Sequence, residues 1–381
     1  MKSLVSNKDF PSANNFTYLN TANVGLMHKN AEKEINKWVE DLAKNGSNNF
    51  NEIAEQNIFL NLHISAAKLI NTNPNNIAAG SSATELLSSL AWAIMPLKGQ
   101  NVVSTNIVFP STVYPWMRIA SSTGCEVRLS KEKNNFISTQ SIIDLIDKNT
   151  SVVCISHVEY SNGQVFDLDL LSNAAKKHNA LLIIDATQSA GAIPIDVKKT
   201  PIDALVCGAY KWLCGPFGAA FMYVTPELSN KLEPGLVGFR SHKNMWELDA
   251  SRVEYRNSAE KFEFSTMAFG CALGLAKSIQ YLAYIGVEDI FKYNRALADT
   301  LVDNLRSKSA VITSPDNKSR SSIVTAYFKK KDSNKIVEQL NKRKVYVSKR
   351  GKSIRFSPHL YNTIDDIENG MEQIDSVMKK I

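Results

Sequence analysis

Cysteine is scarce in this 381-residue chain: Cys125, Cys154, Cys207, Cys214 and Cys271 make an odd number with no C-x-x-C among them. That usage argues against a disulfide framework and against structural zinc. Histidine is equally sparse at six residues, with no H-E-x-x-H, so no metal site is expected. Long apolar runs are missing as well. Nowhere do about 18 apolar residues pass without a charge or a break, and the opening MKSLVSNKDFPSANNF has no apolar stretch of the secretory kind. A cytoplasmic setting without a membrane partner is the expectation. Charge of one sign is in thin surplus, 44 Lys plus Arg against 37 Asp plus Glu, and +7 over this length does not argue for nucleic acid. The densest basic stretch, NKRKVYVSKRGK, carries only Tyr346 as a stacking aromatic and is expected to be a solvated face. No internal repeat or low-complexity tract is visible.

What is present is alternation. From Ile77 onward, short apolar runs (IAAG, NVVST, EVRLS, SVVCIS, ALLIIDA, DALVCGA, AAFMYV) alternate with helical patterns such as ATELLSSLAWAI, VYPWMRIASS, SIIDLIDKN and DLDLLSNAAKKHN. Runs this apolar suit strands buried on both faces of a mostly parallel sheet covered by helices. After AFGCALGLAKSIQYLAYIG the pattern becomes IVTAYF, SNKIVEQLNKR, VYVS, IRFS and a closing helix, the signature of a small α+β domain. Length alone favours two domains. The reading is residues 25–288 as the large domain, 289–381 as the small one, and 1–24 as a segment packing on the small domain.

Ligands in open α/β sheets bind at the carboxyl ends of the strands, so the chemistry is sought just past each apolar run. Asp185 ends LLIID, and Lys211 follows DALVCGA within a glycine-bearing turn. A lysine in a partly desolvated pocket loses its proton more easily and can attack a carbonyl to form a Schiff base. An aspartate beside it can keep a pyridine nitrogen protonated, which makes that ring an electron sink. Either residue alone has a plainer explanation, as a helix cap or a solvated lysine.

The surrounding strings decide. YLNTANVG, AGSSATELL, NIVFPSTVYPW, SHVEYSNGQVFDL, the IIDATQSAG and GAYKW pair, KFEFST and SIRFSPHLYNT occur in this order. Together they resemble the class V aminotransferase, cysteine desulfurase-like family of fold type I pyridoxal phosphate enzymes. The resemblance implies a large domain with a mostly parallel seven-stranded sheet, a small C-terminal domain, and pyridoxal 5′-phosphate as cofactor. It implies that Lys211 forms the Schiff base and shuttles protons at the substrate Cα. Asp185 would pair with the pyridine nitrogen and Gln188 with the phenolic O3′. Ser82, Ala83 and Thr84, just ahead of a helix, would meet the phosphate, as would Tyr210, where many desulfurases have histidine. Phe109 would lie flat against the ring, again where desulfurases carry histidine. His157 would sit near the ring without a proton-transfer duty. Three residues past it, Tyr160 replaces an asparagine of the desulfurases that contacts O3′. Thr266 matches a threonine that reaches the partner subunit's cofactor phosphate in dimeric relatives, which implies a homodimer; the alternative is that it caps the helix that follows. Arg355 would take the substrate α-carboxylate through its planar fork, with Asn23 on the substrate side of the site.

One element of the desulfurase pattern is absent. Persulfide chemistry needs a cysteine on the loop before Arg355, and between Ser348 and Ile354 the chain has only Lys349, Arg350, Gly351, Lys352 and Ser353. Cys214 is near Lys211 in sequence but is expected to be a packing residue. The resulting expectation is β-elimination of the C–S lyase type, or transamination, on a small α-amino acid. Epimerisation, desulfuration with another sulfur acceptor, and a non-catalytic scaffold are the alternatives. Lys342, Arg343, Lys344, Lys349, Arg350 and Lys352 cluster ahead of Arg355, and some are expected to line a substrate entrance that favours an anionic side chain.

Overall fold

The computed structural model describes residues 3–316 and 319–380. At its centre is a seven-stranded sheet in the order Ile77–Gly80, Ala220–Val224, Ala204–Gly208, Leu181–Asp185, Thr150–Ser156, Asn101–Thr105, Glu126–Ser130. All neighbours run parallel except Ala220–Val224, which is antiparallel to both of its partners. The fold is therefore the expected α/β architecture with a mostly parallel sheet. The five strands from Ile77–Gly80, Asn101–Thr105, Ala204–Gly208 and Ala220–Val224 to all but one residue of Thr150–Ser156 are buried, because helices cover both faces. Ile155, Ile184 and Leu205 pack into one apolar cluster, while Val152, Ile183 and Val206 pack into another, as side chains alternating along a pleat must.

The C-terminal residues build a separate antiparallel sheet, in the order Ser348–Arg350, Ser353–Phe356, Val324–Tyr327, Val311–Ile312. Its cluster contains Leu297, Leu301, Val324, Ile354, Phe356 and Ile374, and also Leu19 from the N-terminal segment. Thr17–Tyr18 pairs in parallel with Val345–Tyr346, so this segment is tied to the C-terminal elements by backbone hydrogen bonds. The helices Phe269–Ile285 and Val287–Ser307 meet at Gly286, whose φ of +95° few side-chain-bearing residues adopt.

Two local expectations change. The run VYVS is not one strand: Val345–Tyr346 pairs with the N-terminal segment, whereas Ser348 begins a strand paired with Ser353–Phe356. SIIDLIDKN contributes only the short helix Thr139–Ile143, after which Asp147 is committed to Arg128, Asn101 and the Asn149 N–H. Among the described residues, no helix is long and apolar enough to cross a membrane, and no group of three or more His, Cys, Asp or Glu could hold a metal ion.

Candidate active site

Parallel strands end their carboxyl termini at one edge, and that edge gathers the chemistry. Ser82, Ala83, Thr84, Phe109, Ser111, Ser156, Tyr160, Asp185, Thr187, Gln188, Tyr210 and Lys211 line a single pocket. Asp185 is the last residue of its strand, and Lys211 lies in the turn after Ala204–Gly208, the adjacent strand. That turn is braced from the N-terminal segment. Gly25 donates its N–H to the Tyr210 carbonyl at 2.8 Å, and a Cβ on Gly25 would stand 2.0 Å from the Lys211 carbonyl oxygen, so only glycine fits.

Lys211 is buried, yet its Nζ makes no hydrogen bond or ion pair among the described residues. Its Nζ lies 5.4 Å from the ring centroids of both Phe109 and Tyr210. Burial lowers its pKa to about 8, with Arg355 and Arg350 pushing the same way against the pull of Asp185. The amine thus carries a substantial neutral fraction slightly above neutral pH. Asp185 is held by two donors, the Thr112 hydroxyl at 3.0 Å and the Thr187 N–H at 2.9 Å. These contacts fix its carboxylate and satisfy part of its lone-pair capacity.

The first turn of the helix Ala83–Ile94 opens onto the pocket. Ser82 caps it by accepting the Glu85 N–H, as N-capping predicts. The N–H groups of Ala83 and Thr84 have no acceptor within the helix, and the helix dipole favours an anion there. The Thr84 hydroxyl donates to Ser111 at 2.8 Å.

Gln188 is oriented on both sides: its Nε2 donates to the Ala22 carbonyl at 2.9 Å and its Oε1 accepts from the Trp212 Nε1 at 2.8 Å. Trp212 can only donate, which fixes the amide orientation and leaves one N–H of Gln188 for a ligand. Phe109 is 39% exposed and meets Tyr160 edge-on at 5.3 Å, so it is a pocket wall rather than core. The Tyr210 ring stacks on Phe217. His157 is buried beside the pocket, with its backbone N–H on the Asp185 carbonyl and its ring Nδ1 unpartnered. Burial lowers its pKa to about 4, which keeps it neutral.

Arg355 is fully buried and donates Nη1 to the Tyr160 carbonyl at 2.7 Å, while Nε and Nη2 find no partner. No carboxylate pairs with it among the described residues. Burial and the neighbouring Arg350 push its pKa down. Arg355 thus keeps two unmatched donors, although it is not among the residues that line the pocket. Asn23 and Thr266 are exposed and line none of this pocket within one chain. Nor does Thr266 cap a helix: Phe269–Ile285 starts after Ala268, with no side-chain cap.

The segment before Arg355 is a tight hairpin rather than an open loop. Arg350 pairs with Ser353 across Gly351 and Lys352, and Gly351 takes φ +53°. The basic cluster divides: Arg350 and Lys352 line a neighbouring cavity, whereas Lys342 pairs with Glu338 on its own helix. Cys214 is fully buried in a left-handed conformation, and burial raises its thiol pKa, so it is inert packing.

Several partners escaped the sequence reading. Thr112 and Thr187 lie inside the quoted strings NIVFPSTVYPW and IIDATQSAG, but only the folded chain shows that both serve Asp185. Glu159 is buried next to Tyr160, accepts from Thr105 at 3.1 Å, and is raised by burial to about 8, so it is mostly uncharged at neutral pH. Its only sequence signal is an acid embedded in an otherwise apolar and polar-neutral stretch.

The pocket suits a flat, anionic heteroaromatic aldehyde. A free buried amine, a doubly held carboxylate and an open helix N-terminus are the donor set that such a cofactor needs. Comparison with known proteins agrees. Residues 17–369 match the family model described as aminotransferase class-V. The chain is 26% identical over 365 residues to an uncharacterized aminotransferase, YcbU, of Bacillus subtilis, covering 96% of this chain and 95% of that protein. It is 25% identical over 336 residues to a probable cysteine desulfurase of Pyrococcus abyssi, covering 83% and 82%. Among solved structures, an apo cysteine desulfurase from Thermococcus onnurineus superposes with a TM-score of 0.89 at 21% identity, covering 98% of each chain. The cystine C–S lyase C-DES in complex with its product cysteine persulfide gives 0.88 at 21%, covering 96% and 98%.

Proposed function

Because the chain belongs to the class V aminotransferase family of pyridoxal phosphate enzymes, we propose that it removes the α-proton of a small amino acid and completes either β-elimination or transamination. Lys211 and Asp185 would hold the cofactor at its two reactive ends, Ser82 to Thr84 and Tyr210 its phosphate, and Phe109 its face. When bound, that group withdraws electrons from the substrate Cα. The protein's own residues then supply three services. Lys211, with its pKa lowered to about 8, accepts the α-proton and returns it. Arg355, carrying two unpartnered donors, grips the α-carboxylate and thereby fixes which Cα bond faces the withdrawing group. Asp185, oriented by Thr112 and Thr187, would pair with the ring nitrogen. The exposed Thr266 and Asn23 fit completion of the site by a second copy of the chain.

The observation that carries this reading is the hairpin before Arg355. Its turn is Gly351–Lys352 and it holds no cysteine, so the protein has no thiol there to attack sulfur. The test is a panel of amino acids read in parallel for keto acid, sulfide, ammonia and D-isomer. Keto acid only with an added amino acceptor means transamination; keto acid plus ammonia without one means elimination. Racemised substrate with neither product contradicts the proposal.

A further inference from the structure

Beside the active-site pocket lies a second cavity of about 230 Å³, lined by Asn135, Tyr160, Ser161, Thr313, Thr325, Arg350, Gly351, Lys352 and Ser353. It sits between the segment after Thr150–Ser156 and the hairpin Ser348–Phe356, and Tyr160 is common to it and the active-site pocket. We infer that this cavity is the subsite for the substrate's side chain, and that it takes a side chain ending in an anion.

Four observations carry the inference. The lining contains two cationic side chains and no acidic one. The Ser161 hydroxyl and the Arg350 Nε are buried without a protein partner, so two polar groups there are left for something else to satisfy. Thr313, Thr325 and Ser353 are joined by hydroxyl hydrogen bonds of 2.9 and 2.8 Å, a connected set whose protons can turn toward an anion. Finally, Tyr160 links the cavity to the carboxylate site. Its carbonyl accepts from Arg355, and the Arg350 guanidinium lies 5.9 Å from its ring centroid. A substrate held by Arg355 at one end can therefore pass its side chain along Tyr160 to Arg350. The remaining cation, Lys352, holds its ammonium 4.4 Å from the Tyr327 ring centroid, a cation–π contact that fixes its charge beside the cavity. One-sign lining concentrates oppositely charged ligands. Carboxylate, sulfonate and phosphate ends share this chemistry.

This inference rests on the proposed amino-acid reaction, and the test separates the two. Holoenzyme is titrated with L-aspartate and L-glutamate against their amides, with L-cysteate and L-phosphoserine as further arms, and Kd is read from the cofactor absorbance. At least one acid binds at least tenfold tighter than its uncharged counterpart, and the arms identify which anionic end fits. The double variant Arg350→Gln, Lys352→Gln reduces that preference to less than threefold. Lys342→Gln, which removes a cation engaged with Glu338 instead, keeps it. Equal Kd values for acids and amides in the natural protein, or a preference that survives the double variant, overturn the subsite alone. No absorbance response to any amino acid overturns the proposed function together with it.

Discussion

Two regions of this molecule bury cations equally well and treat them differently. Around Glu263, Lys261 is 5% exposed and Arg240 2% exposed, and the protein supplies an acceptor to each, leaving only the Arg240 Nε idle. The Lys261 ammonium donates to the carbonyls of Ser229 and Leu232, and Arg240 donates to the Glu55 carbonyl while stacking over Phe59. Glu263 itself accepts from His63 and from the Ala79 N–H. Burial alone would lower the His63 pKa, but Glu263 and Glu260 carry it upward. At the sheet's carboxyl edge, Lys211 is 6% exposed and Arg355 0%, yet among the described residues one makes no hydrogen bond or ion pair and the other has two idle donors. Burial, then, does not distinguish structure from function. What distinguishes them is whether the protein supplies the counterpart or leaves it to a ligand.

The contrast breaks most visibly under substitution. Glu263→Ala strips His63 and Ala79 of their acceptor inside the protein and is expected to cost about 3–5 kcal/mol, read as a lowered denaturant midpoint. Arg355→Met removes a buried charge that no carboxylate pairs among the described residues. It is expected to leave that midpoint unchanged or higher while weakening amino-acid binding, by about 1.5–3 kcal/mol for lost hydrogen bonds to a charged group. Equal destabilisation by both would erase the distinction drawn here.

A smaller effect sharpens it. The pKa of Lys211 falls from an ordinary 10.5 to about 8 in the folded protein, so between those values the unfolded chain binds more protons than the native one. Stability from this residue is therefore penalised in full below about pH 8 and recovers as pH rises toward 10.5. In protein freed of cofactor, the advantage of Lys211→Met over the natural protein is expected to shrink between pH 7 and pH 10. An advantage that does not change with pH over that range contradicts an uncompensated buried ammonium.

Much of this site was legible because the fold delivers it from local signals. Each apolar run ends at the same edge, so Asp185 and Lys211 meet as neighbouring strands dictate. The Ser82 cap and the helix after it are likewise local. Pairings across long sequence separations were not legible. Nothing in SHVEYSNGQ shows that the Tyr160 carbonyl, 195 residues before Arg355, takes its Nη1. His63 and Glu263 are 200 residues apart and meet only through packing. VYVS read as one strand because its composition is uniform, whereas its halves bond different neighbours.

The most direct measurement is where the cofactor attaches. Holoenzyme reduced with borohydride and digested is expected to carry the pyridoxyl mass on the peptide containing Lys211, with Lys261 unmodified although it is as deeply buried. Label on Lys261 or on a surface lysine, or no covalent label at all, would contradict the claim that an unpartnered amine at the sheet's edge is the reacting group.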